Sequence, residues 1–395
     1  MSAVLIAGLS SRAAADSAVA AGFAVTTLDA FGDLDIHPAV RAVSLPRNFG
    51  LSFSASAAAR VSAGFVTDAA VYLANFENEP EAVTALAAGR TLWGNPAEVL
   101  RRVRDPGLLA AAIREHGLPC ARIRTNDSND PNDSNDPNDP ADWVVKPLAS
   151  GGGRGIHRWT GGAVPVGHYL QEHVDGRSGS LAFVAANGAA VPIGLSVQLV
   201  GDQAFGADGY RYCGNILAPA GDAVFERDDV VLDRACAIAA AVTSSFGLVG
   251  VNGVDLMVAA AGEVYPIEVN PRWSGSMELV ERAYGLSVFG AHAAACARAE
   301  LPAFDLPRAR RHARAVGKAI LFARRPVTMG DTSGWLADTT VRDVPRPGER
   351  IAAGRPICTI FAEGDDVASC YAALTSRAER MYSGLERASG SWLDR

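Results

Sequence analysis

The spacing of apolar residues changes several times along the chain. A short apolar run, SAVLIAG (2–8), leads into LSSRAAADSAVAAG (9–22), whose spacing is helical, and then into FAVTTLDAFGD (23–33), a second strand with acids at its end. This β-α-β opening predicts a Rossmann-like doubly wound sheet, whose ligand crevice lies beyond the carboxyl ends of the strands. AAVYLANF (69–76) supplies a further strand that runs into the polar loop ENEP. The first turn, AGLSSR, lacks GxGxxG, so nothing specific points to a dinucleotide; Asp29 and Asp33 read equally as ribose ligands or as turn and cap residues.

From Asn95 the pattern turns helical, with Asn95 expected as a cap and Pro96 in the first turn. Asp105-Pro106 restarts a second helix that ends at Gly117. A repeat follows: NDSNDP occurs twice and ends in NDP, and none of these residue types builds a core. Residues 125–141 are therefore expected to form a disordered surface loop. Beyond it, DWVVKPL (142–148) reads as a strand, ASGGGRG (149–155) as a loop and IHRW (156–159) as the returning strand. Further strands at meander spacing reach residue 200. A helix over 228–247, a hairpin over 248–272 and a helical stretch broken at Gly285 come next. An arginine-rich segment then leads to short strands and a last helix. The expected division is 1–92, a Rossmann-like domain; 93–124, a helical linker; 125–141, the repeat; 142–305, a central domain of strands and helices; and 306–395, a β-rich extension with a terminal helix.

Composition narrows the class. With 395 residues, 49% hydrophobic and 20% charged, the chain is large enough for two or three cores. A formal net charge of -7 argues against nucleic acid as a partner, since phosphate backbones need a concentrated basic surface. Six scattered cysteines without CxxC indicate neither zinc nor a disulfide framework, and suit a reducing, cytoplasmic interior. The N-terminal apolar run has no basic residues ahead of it and reads as a strand rather than a signal peptide. No stretch has the roughly 18 apolar residues of a membrane span.

Chemistry concentrates in three places. Lys146 precedes its glycines, whereas a Walker A lysine follows them and a helix comes behind, so SGGGRG is not a P-loop. A hairpin tip rich in backbone N–H groups can still fold over phosphates, and Lys146 can reach them from the strand. With the 248–272 hairpin turning at AAGE (260–263), Asp255 and Glu268 become cross-strand neighbours, and Glu268 and Asn270 share a face. Facing carboxylates repel unless neutralised, and a divalent ion shared with phosphate oxygens would do so. Arg272, two residues further on, brings a fixed positive charge to the same side. The third place, QEHV (171–174), offers a strand end to an adenine edge, or a structural histidine.

Taken in order, Lys146, the SGGGRG loop, QEHVDG, VDLMV and IEVNPR resemble the ATP-grasp superfamily of ligases. The resemblance implies a fold of mixed α/β and α+β character, with a Rossmann-like pre-ATP-grasp domain and a small C-terminal β-rich extension. It implies ATP held by Lys146, Ser150, Gly151, Gly152, Gly153, Gly155, Glu172, His173 and Val174. It also implies Mg2+ or Mn2+ held by Asp255, Glu268 and Asn270, with Arg272 and Lys146 in catalytic roles. Such enzymes activate a carboxylate as an acyl phosphate and pass it to an amine. Within the superfamily the opening residues, the ANFENEP turn and the tail are loosely similar to tyramine–glutamate ligases of one-carbon coenzyme synthesis. Two departures stand out: the linker offers Arg101, Arg102 and Arg104 where a second phosphate lysine is usual, and the repeat belongs to no family pattern.

Arg211, Asn215, Ser274 and Ser276 are candidates to line an acceptor pocket between the first domain and Arg272; each also reads as a turn or cap residue. The expected partners are a small carboxylate and an amine, without nucleic acid or membrane, and a homodimer is left open. The competing reading is a nucleotide-binding regulatory or scaffold subunit without turnover. The basic segment 308–318 reads as a solvated link or as a phosphate-contacting arm.

Overall fold

A computed structural model describes residues 2–125 and 142–390 of the chain. The repeat expected to form a loop therefore lies, apart from Thr125, outside the described residues.

The opening pattern produces β1 (Ala3–Ala7), α1 (Arg12–Ala20), β2 (Ala24–Asp29), β3 (Arg41–Ser44), α2 (Leu45–Phe49), α3 (Ala55–Ser62), β4 (Ala69–Tyr72), α4 (Pro80–Leu86) and β5 (Thr91–Leu92). The strands form one parallel sheet in the order β3-β2-β1-β4-β5. Strands covered on both faces need continuous apolar runs, and Val4, Leu5, Ile6 and Ala7 are all fully buried.

Helices α5 (Ala97–Val103) and α6 (Pro106–Glu115) follow. Asp105 caps α6 by accepting from the Leu108 amide at 2.9 Å. Asn95, expected as a cap, is not one. Its fully buried amide donates to Asn252 Oδ1 (2.8 Å) and accepts from the Val249 amide (2.9 Å), tying the linker to the central domain. Strands β6 (Ile123–Arg124), β7 (Trp143–Pro147), β8 (His157–Arg158) and β9 (His168–Glu172) make a small antiparallel sheet in the order β6-β9-β7-β8.

The larger half contains β10 (Arg177–Ala186), β11 (Ala189–Val200), β12 (Tyr212–Leu217), α7 (Asp228–Phe246), β13 (Gly250–Val258), β14 (Val264–Asn270), α8 (Met277–Tyr284) and α9 (Val288–Arg298). It continues with α10 (Leu306–Arg311), β15 (Ala315–Phe322), β16 (Val327–Thr328), β17 (Val341–Arg342), β18 (Arg350–Ile351), β19 (Pro356–Gly364) and α11 (Val367–Gly390). Eight of these strands form one sheet, β14-β13-β10-β11-β12-β15-β19-β17. The C-terminal extension is thus continuous with the central sheet: β15 pairs with β12, placing Lys318 beside Asn215.

Period-two alternation divides the sheet's faces. Leu181, Leu195, Val254 and Leu256 join Val231, Ile238 and Val242 of α7 in one core. On the other face Ala182, Val184 and Leu217 pack with Val280 and Phe289 of α8 and α9, whereas the neighbouring stretch carries Ser180, Ser196, Gln198, Asp255 and Glu268. That polar stretch is the floor of the site. No helix among the described residues is long and apolar enough to cross a membrane.

Candidate nucleotide and phosphate site

A cavity of about 240 Å3 lies between the polar stretch of the large sheet, strands β7 and β9, and the glycine turn that joins β7 to β8. Its lining includes Lys146, Gly152, Gly153, Glu172, His173, Val174, Asn215, Asp255, Glu268, Asn270, Arg272, Ser274 and Ser276.

The β13–β14 hairpin turns through Ala260–Gly262, and a bulge between Leu256 and Asp255 shifts the register by one residue, setting Asp255 opposite Glu268 and Gly253 opposite Asn270. Both Asp255 oxygens face amides: Gln198 Nε2 donates to Oδ1 at 2.8 Å and Asn270 Nδ2 to Oδ2 at 3.0 Å. Burial and then the facing Glu268 push the Asp255 carboxyl up to about 6. Burial also opposes the Glu268 charge, but Arg104 and Lys146 outweigh it and hold that carboxyl below its ordinary value. The two acids therefore divide, one firmly ionised and one raised.

Of the three linker arginines, Arg104 alone reaches the site. It ends α5, pairs with Glu268 through Nη1, and donates from Nη2 to the Ser150 carbonyl at 3.2 Å. Arg101 pairs with Glu81 on the surface, and Arg102 lies 5.6 Å over the Phe246 ring.

Lys146 is buried on β7; its Nζ donates to Gln171 Oε1 at 3.0 Å and lies 5.8 Å over Tyr169. Gly152, Gly153 and Gly155 have φ of 65°, 77° and 74°, a region side chains avoid. The turn is docked: the Tyr212 amide donates to Gly152 O at 3.2 Å. Ser150 contributes its carbonyl to Arg104, and neither Ser150, Gly151 nor Gly155 is among the lining residues. The Glu172 carboxylate is turned toward β6, accepting from the Arg122 amide at 3.0 Å. His173 lies beside Asp175 (3.4 Å).

Arg272 is held on several sides. Its Nε donates to Glu77 Oε1 at 2.7 Å, its Nη2 to Asn270 Oδ1 at 3.0 Å and its Nη1 to Trp273 O at 3.1 Å. Ser274 and Ser276 exchange a hydroxyl hydrogen bond at 3.2 Å at the same end of the cavity. Asn215 is buried there, donating to Ser196 Oγ at 2.9 Å and accepting from the Tyr212 hydroxyl. Arg211 is not among the lining residues. It donates to Gly354 O at 3.1 Å and stacks 5.2 Å over Phe322, on the C-terminal segment. In the segment 308–318, Arg310 is buried against Ala218 O and Asp228, and Lys318 against Glu278.

Gln198, Glu77 and Tyr212 also belong to the site, though nothing local marks them: the partners of Gln198 and Glu77 lie 57 and 195 residues away, and Tyr212 reaches Asn215 three residues on within β12.

Two carboxylates and an amide oxygen form a hard oxygen set that fits Mg2+ or Mn2+. Among the described residues no group of three His, Cys, Asp or Glu side chains is poised to hold a metal, so such an ion would need oxygens from a bound phosphate as well. The glycine turn, whose backbone bears no side chains toward the cavity, fits phosphate oxygens.

Residues 105–276 match the ATP-grasp domain family. No curated protein matches the sequence. Solved structures are similar over nearly the whole chain. An ADP complex of N5-carboxyaminoimidazole ribonucleotide synthetase is 16% identical, with a TM-score of 0.66 and 98% of each chain covered. The L-amino acid ligase of Bacillus licheniformis is 15% identical, with a TM-score of 0.65, covering 96% of this chain and 97% of that one. A biotin carboxylase complex with β,γ-ATP from Campylobacter jejuni is 13% identical, with a TM-score of 0.67, covering 94% and 89%. Together the parallel first sheet, the two antiparallel sheets facing across the cavity and these likenesses establish that the chain has the ATP-grasp fold.

Proposed function

We propose that the protein is an ATP-dependent ligase that joins a small carboxylic acid to an amine through an acyl phosphate, releasing ADP and phosphate. The observation that carries this reading is the gathering of Asp255, Glu268, Asn270, Arg272 and Lys146 around one cavity over which a glycine turn is docked.

Mg2+ or Mn2+, held by Asp255, Glu268 and Asn270, would supply charge neutralisation to the phosphates. Lys146 and the N–H groups of Gly152 and Gly153 bind and orient ATP, and Val174 with the neighbouring backbone borders its base. The substrate carboxylate attacks the γ-phosphorus; Arg272 faces the transferring group and stabilises its oxygens. The docked turn keeps out water that would hydrolyse the acyl phosphate. Asn215, Ser274 and Ser276 border the acceptor end, where the amine attacks. The likeness to an L-amino acid ligase supports an amino acid as substrate. The loose resemblance of the opening residues, the ANFENEP turn and the tail to tyramine–glutamate ligases supports an acid of one-carbon coenzyme synthesis. Six free cysteines suit a cytoplasmic setting.

A screen of acids and amines by ADP release, with mass identification of the product, tests the reading. Turnover is expected only with both substrates, and Glu268→Ala should abolish it. ADP release unchanged in that variant, or no binding of Mg-ATP at all, would sink it.

A further inference from the structure

Arg272 is oriented from outside the domain that carries it. Its partner Glu77 belongs to the first domain, in the turn after β4, where Asn75 takes a left-handed φ of 91° and Phe76 is fully buried. These two neighbours fix the direction in which Glu77 leaves the chain. Glu77 Oε1 lies 2.7 Å from Arg272 Nε and 2.6 Å from Nη2, and the Glu77 side chain is 1% exposed.

The backbone beside the arginine is gripped as well. Pro271 O accepts from the Tyr72 hydroxyl at 3.0 Å and from Asn95 Nδ2 at 3.1 Å. First domain and linker thus hold both the main chain before Arg272 and its guanidinium. Glu77 Oε2, however, is buried without a hydrogen-bond partner among the described residues. Burying a carboxylate with one oxygen unsatisfied is costly, so the pair is a poor device for stability alone. Its geometric effect is specific: Glu77 on one side and Asn270 on the other leave the guanidinium one orientation, toward the cavity it lines.

We propose that Glu77 is a positioning residue for Arg272, so that the phosphoryl-facing charge is set by the seating of the first domain against the central sheet. The proposal rests on the ligase reading given above. Glu77 touches no reacting atom; it acts through the arginine.

The test is Glu77→Gln, with the size kept and the Tyr72 and Asn95 contacts left in place. The kcat for ADP release should fall about 30-fold or more, as misplacement of a charged group near the reaction does, with KM for Mg-ATP within about twofold. In an Arg272→Ala background the same change should add less than about twofold, because the group it positions is gone. A second readout needs no acid or amine: trapping of Mg-ADP with fluoroaluminate, a mimic of the transferring phosphoryl group. Glu77→Gln should bind Mg-ADP as the wild type does but trap at least about tenfold less well. Should Glu77→Gln fail to fold, Glu77→Asp, which keeps the charge and shortens the reach, should give the same split. Wild-type trapping matched by the variant, or a loss that adds to Arg272→Ala, overturns the proposal with the ligase reading intact. A wild-type chain that binds nucleotide but neither traps nor turns over overturns both.

Discussion

Gly153 lies so close to the carbonyl of Tyr210 that a methyl group on it would sit 1.7 Å from that oxygen. Backbone rather than a movable side chain makes the contact, and the φ of 77° is itself unfavourable for alanine by about 1–2 kcal/mol. Gly153→Ala should therefore undock the turn while leaving the cores intact. Nucleotide affinity, measured by calorimetry, is expected to fall about tenfold, a loss equivalent to roughly 1.4 kcal/mol of docking energy. Proteolysis near residue 154 should quicken, and the melting temperature should stay close to that of the wild type.

Arg104 is predicted to separate from its neighbours on substitution. Arg104→Ala removes the closest countercharge of Glu268 and leaves Lys146, at a cost of about 2 kcal/mol, discounted from a fully buried pair because the Glu268 side chain keeps 26% exposure. It should also weaken Mg-ATP binding. Arg104→Lys should restore only part of this, since an ammonium cannot span Glu268 and Ser150 O as the guanidinium does. Arg101→Ala, at an exposed pair, should melt and bind as the wild type does.

These cases show what the sequence made legible. A turn expected at 260–263 pairs Asp255 with Glu268; the turn lies at Ala260–Gly262, and a one-residue bulge in the register between Leu256 and Asp255 brings the two acids opposite each other. The side on which Lys146 stands of its glycines was enough to exclude a P-loop. The contacts of Arg104 with Glu268 and of Glu77 with Arg272 span 164 and 195 residues, and no local period encodes them. Arg211 stands just before β12, where sequence gives a turn residue no direction, and its guanidinium turns to Phe322. Asn95 has the composition of a cap, yet a buried amide with three partners outcompetes one helix end.

His292 gives the fold a pH dependence. It accepts from the Val251 amide at Nδ1 (3.0 Å) and faces Trp93 O with Nε2 (3.3 Å), which requires the neutral ring protonated on Nε2. Burial lowers its pKa to about 4, below the roughly 6.5 of an unfolded histidine. The unfolded chain therefore binds more protons between these values, so this contribution is whole above pH 6.5 and is lost as pH falls toward 4. It should reach about 3 kcal/mol at full protonation. Urea midpoints from pH 7 to pH 4.5 should fall more steeply in the wild type than in His292→Gln, whose amide can make both contacts without titrating.

Deleting residues 126–137 should leave nucleotide binding unchanged. Strands β6 and β7 both run antiparallel to β9, which lies between them, and Arg124 and Trp143 stand opposite Leu170 and Glu172, so the ends to be joined are two strand spacings and two residues apart, about 12 Å. Thr125 with residues 138–142 would remain, a reach of roughly 20 Å. Calorimetry on the shortened chain checks this; a loss of affinity would give the repeat a part in the site.

The pairing of β15 with β12 bears on how the molecule is made. During synthesis β12 can pair with β11 on one side, but the N–H and C=O groups of its other edge stay open until residues 315–322 leave the ribosome. A shortened chain that keeps every residue of the nucleotide cavity but ends before β15 would thus present a permanent sticky edge. The last fifth of the chain covers a strand edge that would otherwise be open to self-association.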